Sequence, residues 1–137
     1  MWFDRRLVMR KSPIQGIGTF ATQDISAGEM LMMVTGGIVV TLQDRRSGHL
    51  QLAVDMYNEE SLADNLFIVT PKLFHYYINH SCDPNAIDLS RSANSTQYVA
   101  ARHIHANEEI TADYYDETTL EVCACKSPRC RWTSRAR

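Results

Sequence analysis

The segment Asn79–Asn85 combines the side chains best suited to chemistry, in the order Asn-His-Ser-Cys-Asp-Pro-Asn. Amide, imidazole, hydroxyl and thiol groups can hydrogen-bond a ligand or bind a metal, and Asp-Pro-Asn favours a turn. Because a polar group without a partner is costly inside a protein, four such residues directly after Tyr77 and Ile78 indicate a site. The alternative interpretation is a capped turn that carries a buried, hydrogen-bonded histidine.

The cysteines give a second chemical signal, because three of the four lie within eight residues near the end of the sequence. Cys123, Cys125 and Cys130 have the spacing C-x-C-x4-C. Two thiolates from a C-x-C turn and a third nearby provide most of a tetrahedral zinc site. Free thiols or a disulfide are the alternative.

Two further segments are less specific when each is taken alone. Glycines at positions 16 and 18 would let backbone groups approach a ligand closely, although two glycines in a loop usually mean only a turn. The segment Glu109–Tyr114 predicts a β-strand that ends in an acidic and aromatic loop. A lone tyrosine in such a place is most often half-buried packing.

Together these segments resemble the SET-domain family of protein lysine methyltransferases over residues 16–130. Gly16-Ile17-Gly18 before Thr19-Phe20-Ala21 is similar to the family's cofactor loop and its Val-Phe-Ala. The segment from Asn79 resembles the Asn-His-Ser-Cys signature, and Glu109–Tyr114 resembles Glu-Leu-Thr-Phe/Tyr-Asp-Tyr. The resemblance implies a mainly β protein with the SET-domain β-clip fold: small curved sheets, a C-terminal pseudoknot and few short helices.

The activity that the resemblance implies is methyl transfer from S-adenosylmethionine to a protein lysine, with Tyr114 as the catalytic residue. The implied cofactor-binding residues are Gly16, Ile17, Gly18, Asn79, His80 and Trp132. The implied substrate channel contains Tyr77, Ala112 and Tyr115. The resemblance also adds Cys82 as the fourth zinc ligand, beside Cys123, Cys125 and Cys130. An ordinary anchor for the tail is the alternative role for Trp132.

The resemblance divides the sequence into a SET domain at residues 1–118 and a post-SET zinc-binding segment at residues 119–137. Three places depart from the family pattern. Val34-Thr35-Gly36-Gly37 replaces Tyr-x-Gly-Glu, Tyr76 replaces an arginine, and Ala112 replaces an aromatic residue. In the family this aromatic residue limits the space around the lysine amine. Ala112 therefore predicts transfer of two or three methyl groups, with plain strand packing as the alternative.

Short apolar runs alternate with turn residues along the chain, which predicts a β-rich domain of many short strands. The predicted strands are Leu7–Met9, Thr19–Ala21, Met30–Val34, Ile38–Thr41, Leu50–Val54, Leu66–Val69, Tyr98–Ala101 and Glu109–Ala112. The predicted loops and turns are Ser12–Gly18, Asp24–Glu29, Asp55–Asp64 and Arg102–Asn107. Short helices are predicted at Thr41–Leu50 and Lys72–Tyr77.

With 137 residues, 45% of them hydrophobic and 22% charged, the sequence fits one globular domain. Its formal charge of −2 disfavours specific binding to nucleic acid. Acidic residues concentrate in Asp55–Asp64 and Glu108–Glu121. These stretches would favour a basic, lysine-containing protein partner such as a histone tail, or they form a solvated face.

No secretory signal follows the first residues, and no apolar run reaches the roughly eighteen residues of a membrane span. We therefore predict an intracellular protein, in the nucleus or the cytoplasm, with reduced cysteines and no membrane partner. Two other functions stay open at this point. One is a non-catalytic SET module that binds a peptide and cofactor. The other is a small zinc protein that binds nucleic acid through the five basic residues of Lys126–Arg137.

Overall fold

Short β-strands dominate the computed structural model, which describes residues 1–47, 57–90, 95–114 and 122–132. They form three small sheets, which confirms the predicted mainly β fold class. The strands are β1 (Trp2–Phe3), β2 (Leu7–Lys11), β3 (Ile17–Ala21), β4 (Met30–Thr35), β5 (Ile38–Thr41), β6 (Tyr57–Ala63), β7 (Leu66–Pro71), β8 (Asn79–His80), β9 (Ala86–Asp88), β10 (Ser95–Ala100) and β11 (Glu109–Ala112).

The first sheet has the strand order β1-β4-β10-β9, and each neighbouring pair is antiparallel. Strand β4 contributes the fully buried Leu31 and Met32 to the core. Met32 lies opposite Tyr98 of β10, and the register shifts between Tyr98 and Val99.

The second sheet, in the order β2-β3-β11-β8, carries five of the predicted site residues, which are Ile17, Gly18, Asn79, His80 and Ala112. Strand β3 pairs with β2 and with β11 in the antiparallel sense. Strand β8 instead runs parallel to β11, so that Asn79 lies opposite Thr111 and His80 lies opposite Ala112. The parallel pairing brings two of the sequence motifs side by side although about thirty residues separate them.

The loop predicted at Ser12–Gly18 is two residues too long. Ile17 and Gly18 already belong to β3, where they pair with Lys11 and Arg10 of β2. Glycine has no intrinsic preference for a strand, but the antiparallel ladder on both sides of β3 overrides that local tendency. The glycine motif therefore spans the end of a loop and the start of a strand.

The third sheet has the order β5-β7-β6 and is entirely antiparallel. Strands β6 and β7 form a hairpin whose turn contains Asn65, a residue type that tolerates its left-handed φ of 68°. The prediction of an acidic loop at Asp55–Asp64 is wrong for residues 57–63, which form β6. Pairing with the apolar β7 explains the difference, because one apolar strand can hold a polar neighbour in place.

Two short helical segments occur in the described part of the chain, α1 at Leu42–Ser47 and a 3₁₀ helix at Phe74–Tyr77. The first confirms the helix predicted near Thr41–Leu50, and the second is shorter than the predicted Lys72–Tyr77. Thr19 Oγ1 donates to the Phe74 carbonyl at 3.0 Å and ties this turn to β3. Neither helix is long and apolar enough to cross a membrane.

Large aliphatic side chains fill the space between the sheets. Ile25, Leu31, Met32, Ile104 and Ile110 are fully buried in one cluster. Burying a side chain of this size contributes about 1.5–3 kcal/mol. An isolated antiparallel bridge joins Ile25 to Ile104, with a 2.9 Å backbone hydrogen bond in each direction. The core thus fixes two surface loops as well as the sheets.

The other predicted strands of the described chain are confirmed; Ile38–Thr41 and Glu109–Ala112 match at both ends, and the rest differ by at most three residues at either end. The strand predicted at Leu50–Val54 lies outside the described residues. Strands β1, β8 and β9 have two or three residues each and carry no periodic pattern that would predict them.

Candidate active site

Asn79 links the loop before β3 to β11 through its side-chain amide. Its Nδ2 donates to Glu109 Oε1 (2.7 Å), and its second hydrogen is shared between the carbonyl oxygens of Gln15 (3.1 Å) and Ile17 (3.3 Å). Ser12 Oγ donates to the second carboxylate oxygen of Glu109 at 2.9 Å. One amide and one carboxylate therefore fix the loop, strand β11 and the segment that begins at Asn79 in a single arrangement.

The segment Gly16-Ile17-Gly18, called the glycine loop below, contains two glycines that meet different steric demands. A Cβ at position 18 would overlap the Glu109 carboxylate and come within 3.2 Å of Asn79 Nδ2. Gly16 has a φ of 51°, a conformation that favours glycine. The Asn79–Glu109 hydrogen bond is possible only because residue 18 has no side chain.

His80 is buried and makes a hydrogen-bonding contact on each side of its ring. Nδ1 accepts the Tyr114 N–H at 3.3 Å, so the proton of the neutral ring is on Nε2, which lies 3.3 Å from Cys82 Sγ. Burial lowers the pKa of His80, and the negative charge of Asp113, 3.8 Å from Nδ1, acts in the opposite direction. The histidine thus positions the backbone of Tyr114.

Tyr114 lies two residues after the end of β11, and its hydroxyl reaches Ile78, the residue before β8. The hydroxyl donates to the carbonyl oxygen of Ile78 at 2.7 Å, and the ring centroid lies 5.3 Å from that of His80. Burial raises the pKa of Tyr114, and the charge of Glu109 adds to the effect. The hydroxyl is therefore protonated at neutral pH. Because its proton is donated to Ile78, its lone pairs are what it offers to another group.

The tail at residues 122–132 is attached beside Tyr114 through Arg131. The guanidinium donates two hydrogen bonds to Asp113, at 2.7 and 2.9 Å, in the fork geometry that suits a carboxylate. The backbone N–H of Arg131 donates to Cys82 Sγ at 3.5 Å. The ring of Trp132 lies 5.7 Å from that of His80. The tail therefore lies against the same histidine as Tyr114 does.

The structure brings together the four cysteines predicted as zinc ligands. The sulfur atoms of Cys82, Cys123, Cys125 and Cys130 all lie within 4.8 Å of one another. Four thiolates around zinc, at a Zn–S distance of about 2.3 Å, have sulfur atoms roughly 3.8 Å apart. The Cys82 and Cys123 sulfur atoms are 3.8 Å apart. The donor set and its dimensions thus fit a tetrahedral zinc ion.

All four cysteines are free thiols. The surroundings of Cys123 and Cys125 move the pKa values of these two thiols in opposite directions. Burial raises the pKa of Cys123 to about 12. Burial acts in the same direction on Cys125, but hydrogen bonds from the backbone N–H groups of Cys82 and Ser127 outweigh it and lower the pKa to about 7. One thiolate is therefore accessible near neutral pH, and a bound cation would displace the remaining protons.

Asn85 anchors the turn that follows Cys82. Its side chain is almost fully buried, and each of its polar atoms has a partner. Nδ2 donates to the Glu109 carbonyl at 2.7 Å and to Glu108 Oε1 at 3.0 Å, and Oδ1 accepts the Thr111 N–H at 2.9 Å. Because all the hydrogen-bonding groups of this buried amide are paired, Asn85 holds the turn and strand β11 in a fixed relative position. The Asp-Pro-Asn turn is thus held on β11.

A small cavity opens between the glycine loop, the histidine and the tail. Its volume is about 30 Å³, and it is lined by Ile14, Gln15, His80, Tyr114, Val122, Cys123 and Ala124. That is the space of about one water molecule. A ligand the size of a nucleoside would require the tail to move away from the loop. A larger open hollow of about 530 Å³ involves none of the predicted site residues and is lined by Trp2, Phe3, Asp4, Arg5, Arg6, Gln23 and Glu29.

The three predicted channel residues have different positions. Ala112 is 2% exposed and packs with Ile78 and Ile110 in the hydrophobic cluster, so a larger side chain at 112 would have to enter that cluster. Tyr77 lies in the 3₁₀ helix, half-buried, with its ring 5.2 Å from that of Tyr76. Tyr115 lies outside the described residues.

The sequence predicts no individual role for Glu109, Asp113 or Arg131, which it places only in an acidic stretch and a basic tail. Glu109 and Asp113 lie inside the motif that ends at Tyr114, and Arg131 is next to the predicted zinc ligand Cys130. Their position in or beside a motif was the only feature of the sequence that pointed to a role in the site. The pairing of Asp113 with Arg131 could not be predicted, because no local periodicity relates residues eighteen positions apart outside a helix.

The acidic stretch at Glu108–Glu121 is only partly available to a partner. Glu108 pairs with Arg102 at 2.6 Å, Glu109 binds Ser12 and Asn79, and Asp113 binds Arg131. The stretch beyond Tyr114, to residue 121, lies outside the described residues. The described acids of this stretch thus make contacts within the chain that build the site.

Comparison with known proteins agrees with this arrangement. The SET domain model matches residues 16–115, which is most of the chain, and the chain belongs to the SET domain family. The matched range contains the glycine loop, the Asn79–Asn85 string and Tyr114. The four-cysteine cluster fits the zinc-binding post-SET segment expected of such a protein.

Several long curated proteins are similar to this chain. Histone-lysine N-methyltransferase ATX2 of Arabidopsis thaliana is 34% identical over 94% of the chain. Histone H3-lysine(4) N-trimethyltransferase ATX1 of the same plant is 32% identical over 94%. Histone-lysine N-methyltransferase trithorax of Drosophila virilis is 31% identical over 88%. The chain spans only 13%, 13% and 3% of the length of these three relatives.

Proposed function

We propose that this chain is an S-adenosylmethionine-dependent protein lysine N-methyltransferase. The observation that carries the proposal is the position of Tyr114, whose hydroxyl is held by the Ile78 carbonyl beside His80 and the glycine loop. Membership of the SET domain family and the names of the similar proteins support it. The proposed substrate is a lysine of a histone or of another basic protein.

S-adenosylmethionine would supply the methyl group, carried on a sulfonium sulfur. The residues proposed to hold it are Gly16, Ile17, Gly18, Asn79, His80 and Trp132. Asn79 acts by fixing the loop carbonyls of Gln15 and Ile17, and Gly18 leaves room for that contact. The small volume between loop and tail implies that the tail closes over the ligand after it binds.

Tyr114 is proposed to orient the amine of the substrate. Methyl transfer is an in-line displacement, so most of the catalytic effect comes from positioning. A lysine amine with a pKa near 10.4 must first lose a proton to water, at a cost of about 4–5 kcal/mol at pH 7. The Tyr114 hydroxyl, protonated and already donating to Ile78, accepts an N–H of the neutral amine. This contact directs the nitrogen lone pair; Tyr114 is not a base.

The proposed zinc ion is structural. Cys82 lies two residues after His80, and the other three ligands lie in the tail, so an ion bound to all four would hold the tail over the site. Its four thiolate ligands would leave no open coordination position for substrate. We accordingly propose residues 1–118 as the SET domain and residues 119–137 as the zinc-binding segment that completes it.

The test separates binding from turnover. Calorimetry with S-adenosylmethionine should show binding to the zinc-loaded chain and a loss of affinity of about 5–100-fold in Asn79→Ala, because the loop loses its amide anchor. Gln43→Ala removes an exposed amide from α1 and should bind as wild type does. Binding without any methyl transfer to histones or basic peptides would favour the non-catalytic module instead. Absence of binding would contradict both functions.

A further inference from the structure

A second cluster of possible metal ligands lies on the surface, apart from the four cysteines. One donor atom from each of Asp24, His103 and His105 lies within 4.8 Å of the other two. His103 Nε2 is 3.2 Å from Asp24 Oδ2, and the two histidine rings are 4.6 Å apart. All three residues are exposed, and none takes part in the proposed methyl transfer.

The backbone places these side chains on one face. The bridge between Ile25 and Ile104 is antiparallel and hydrogen-bonded in both directions, and both isoleucines are fully buried. Neighbouring residues in an extended segment point to opposite faces, so Asp24, His103 and His105 lie on the outer face. Across such a bridge Asp24 is opposite His105, where Cβ atoms are about 4.5–5.5 Å apart. The buried pair thus fixes the spacing of the exposed donors.

The carboxylate of Asp24 is oriented before any ligand arrives. Its Oδ1 accepts the Ala106 N–H at 2.9 Å, which leaves Oδ2 directed at His103. Hydrogen bonding of the outer oxygen of a metal-binding carboxylate is a common feature of metal sites, because it holds the ligand atom in place. The arrangement here needs no backbone movement to present one oxygen and two imidazole nitrogens together.

We propose that Asp24, His103 and His105 bind a divalent first-row transition ion such as Zn²⁺ or Ni²⁺. Two imidazoles and a carboxylate are ligands that suit these ions. Metal–ligand distances of about 2.0–2.2 Å require donor atoms roughly 3–4 Å apart, which small rotations of the three exposed side chains can provide. Three protein ligands leave at least one coordination position for water or for a side chain of another molecule.

The test is a calorimetric titration of the zinc-loaded, tag-free chain with Ni²⁺. The expected result is one Ni²⁺ per chain with no loss of zinc. His103→Ala and His105→Ala should each weaken binding at least tenfold. Asp24→Asn, which keeps an oxygen for the Ala106 N–H, should weaken it several-fold. Asp64→Asn, a change of an exposed carboxylate elsewhere, should have no effect.

Two results would overturn the proposal. The first is a failure to locate Ni²⁺ at this cluster: either wild type shows no stoichiometric Ni²⁺ binding, or the His103→Ala/His105→Ala double variant binds Ni²⁺ as tightly as wild type does. The second is release of zinc in step with nickel uptake, which would assign the binding to the cysteines. Because both histidines are exposed, the variants should melt within a degree or two of wild type, so a loss of binding would not reflect unfolding.

Discussion

Glu109 has a larger part in the site than a strand residue beside a motif would suggest. Both of its carboxylate oxygens are engaged, one with Asn79 and one with Ser12. Its position also excludes any side chain at residue 18. The glycine of the loop, the amide of the Asn-His-Ser-Cys string and the first residue of the Tyr114 motif are therefore parts of one contact, and each constrains the other two.

Tyr114→Phe tests the role of the hydroxyl at the reacting centre. The variant should lower the turnover number by about 10²-fold, since it removes a group placed to orient the amine. Affinity for S-adenosylmethionine should change less than about threefold, because the hydroxyl does not take part in holding the loop. Steady-state kinetics with calorimetry on both proteins checks this, and equal turnover numbers would refute the role.

Ala112 bears on how many methyl groups are added. If the absence of an aromatic ring leaves space around the amine, wild type should form di- or trimethyl-lysine, and Ala112→Tyr should shift the product toward monomethyl-lysine. Because Ala112 is buried in the core cluster, the tyrosine should also cost about 1–3 kcal/mol of stability. Mass spectrometry of product at long incubation measures the first effect, and thermal melting measures the second. Only monomethyl product from wild type would show the interpretation to be wrong.

At the scale of elements, the parallel pairing of β8 with β11 organises the site. It sets Asn79 and His80 beside the strand that leads to Tyr114, and Asn85 fixes the following turn to the same strand. The tail then attaches at the end of β11 through Arg131 and Asp113. The glycine motif at residues 16–18, Tyr114 and the cysteine cluster thus depend on one short strand pair.

Loss of one zinc ligand should act mainly on the tail. Wild type should contain one zinc per chain by metal analysis. Cys130→Ser should lose the zinc and most of the methyltransferase activity, while the melting temperature of the β core falls only by a few degrees. The reason is that a structural ion contributes its binding energy mainly to the segment that it orders.

Chelation gives an independent control for the same prediction. Wild type treated with a chelator should behave as Cys130→Ser does, and added zinc should restore wild type but not the variant. Freshly purified, reduced wild type without zinc would contradict the proposed metal site. Full methyltransferase activity in Cys130→Ser would instead show that the tail needs no zinc to close over the site.

Much of the strand content could be predicted because apolar runs such as Met30–Val34 and Leu66–Val69 mark buried strands directly. Strand β6 could not, since its polar sequence is held by pairing with β7 rather than by its own preference. The same applies to β8, whose two residues are extended only because β11 lies beside them. The candidate site residues could be selected from motifs, whereas the residues that hold them in place, such as Glu109 and Arg131, depend on tertiary contacts.

At the scale of the whole molecule, a charged network joins the start of the chain to the loop that precedes β4. Arg6 binds Asp4 at 2.6 Å and Glu29 at 3.1 Å, and it also donates to the Asp24 carbonyl at 3.1 Å. The hydrogen bond from Arg6 lowers the pKa of Asp4, although burial acts in the other direction. The network connects both ends of the loop that precedes β4 to the first sheet.

Asp4 should make the stability of the protein depend on pH. A carboxyl with a lowered folded pKa stabilises the fold at pH values above its unfolded pKa, near 4, and this contribution is lost as the pH falls through the folded pKa. Asp4→Asn should therefore reduce the free energy of unfolding by about 1–3 kcal/mol at pH 7. The difference from wild type should shrink steadily below pH 4.

Urea unfolding at a series of pH values measures this dependence. Asp64→Asn, an exposed acid outside the network, serves as the matched control and should differ from wild type by no more than about 0.5 kcal/mol at any pH. A difference between Asp4→Asn and wild type that is constant from pH 3 to pH 7 would show that the charge of Asp4 has no part in the effect.

The central claim is methyl transfer to a protein lysine at the centre formed by Tyr114. The most direct measurement is incubation of the zinc-loaded chain with methyl-labelled S-adenosylmethionine and a panel of histones and basic proteins, followed by mass spectrometry of the labelled product. We predict label on lysine side chains with wild type and little with Tyr114→Phe. Absence of label on any substrate, label on a residue other than lysine, or equal labelling by the two proteins would contradict it.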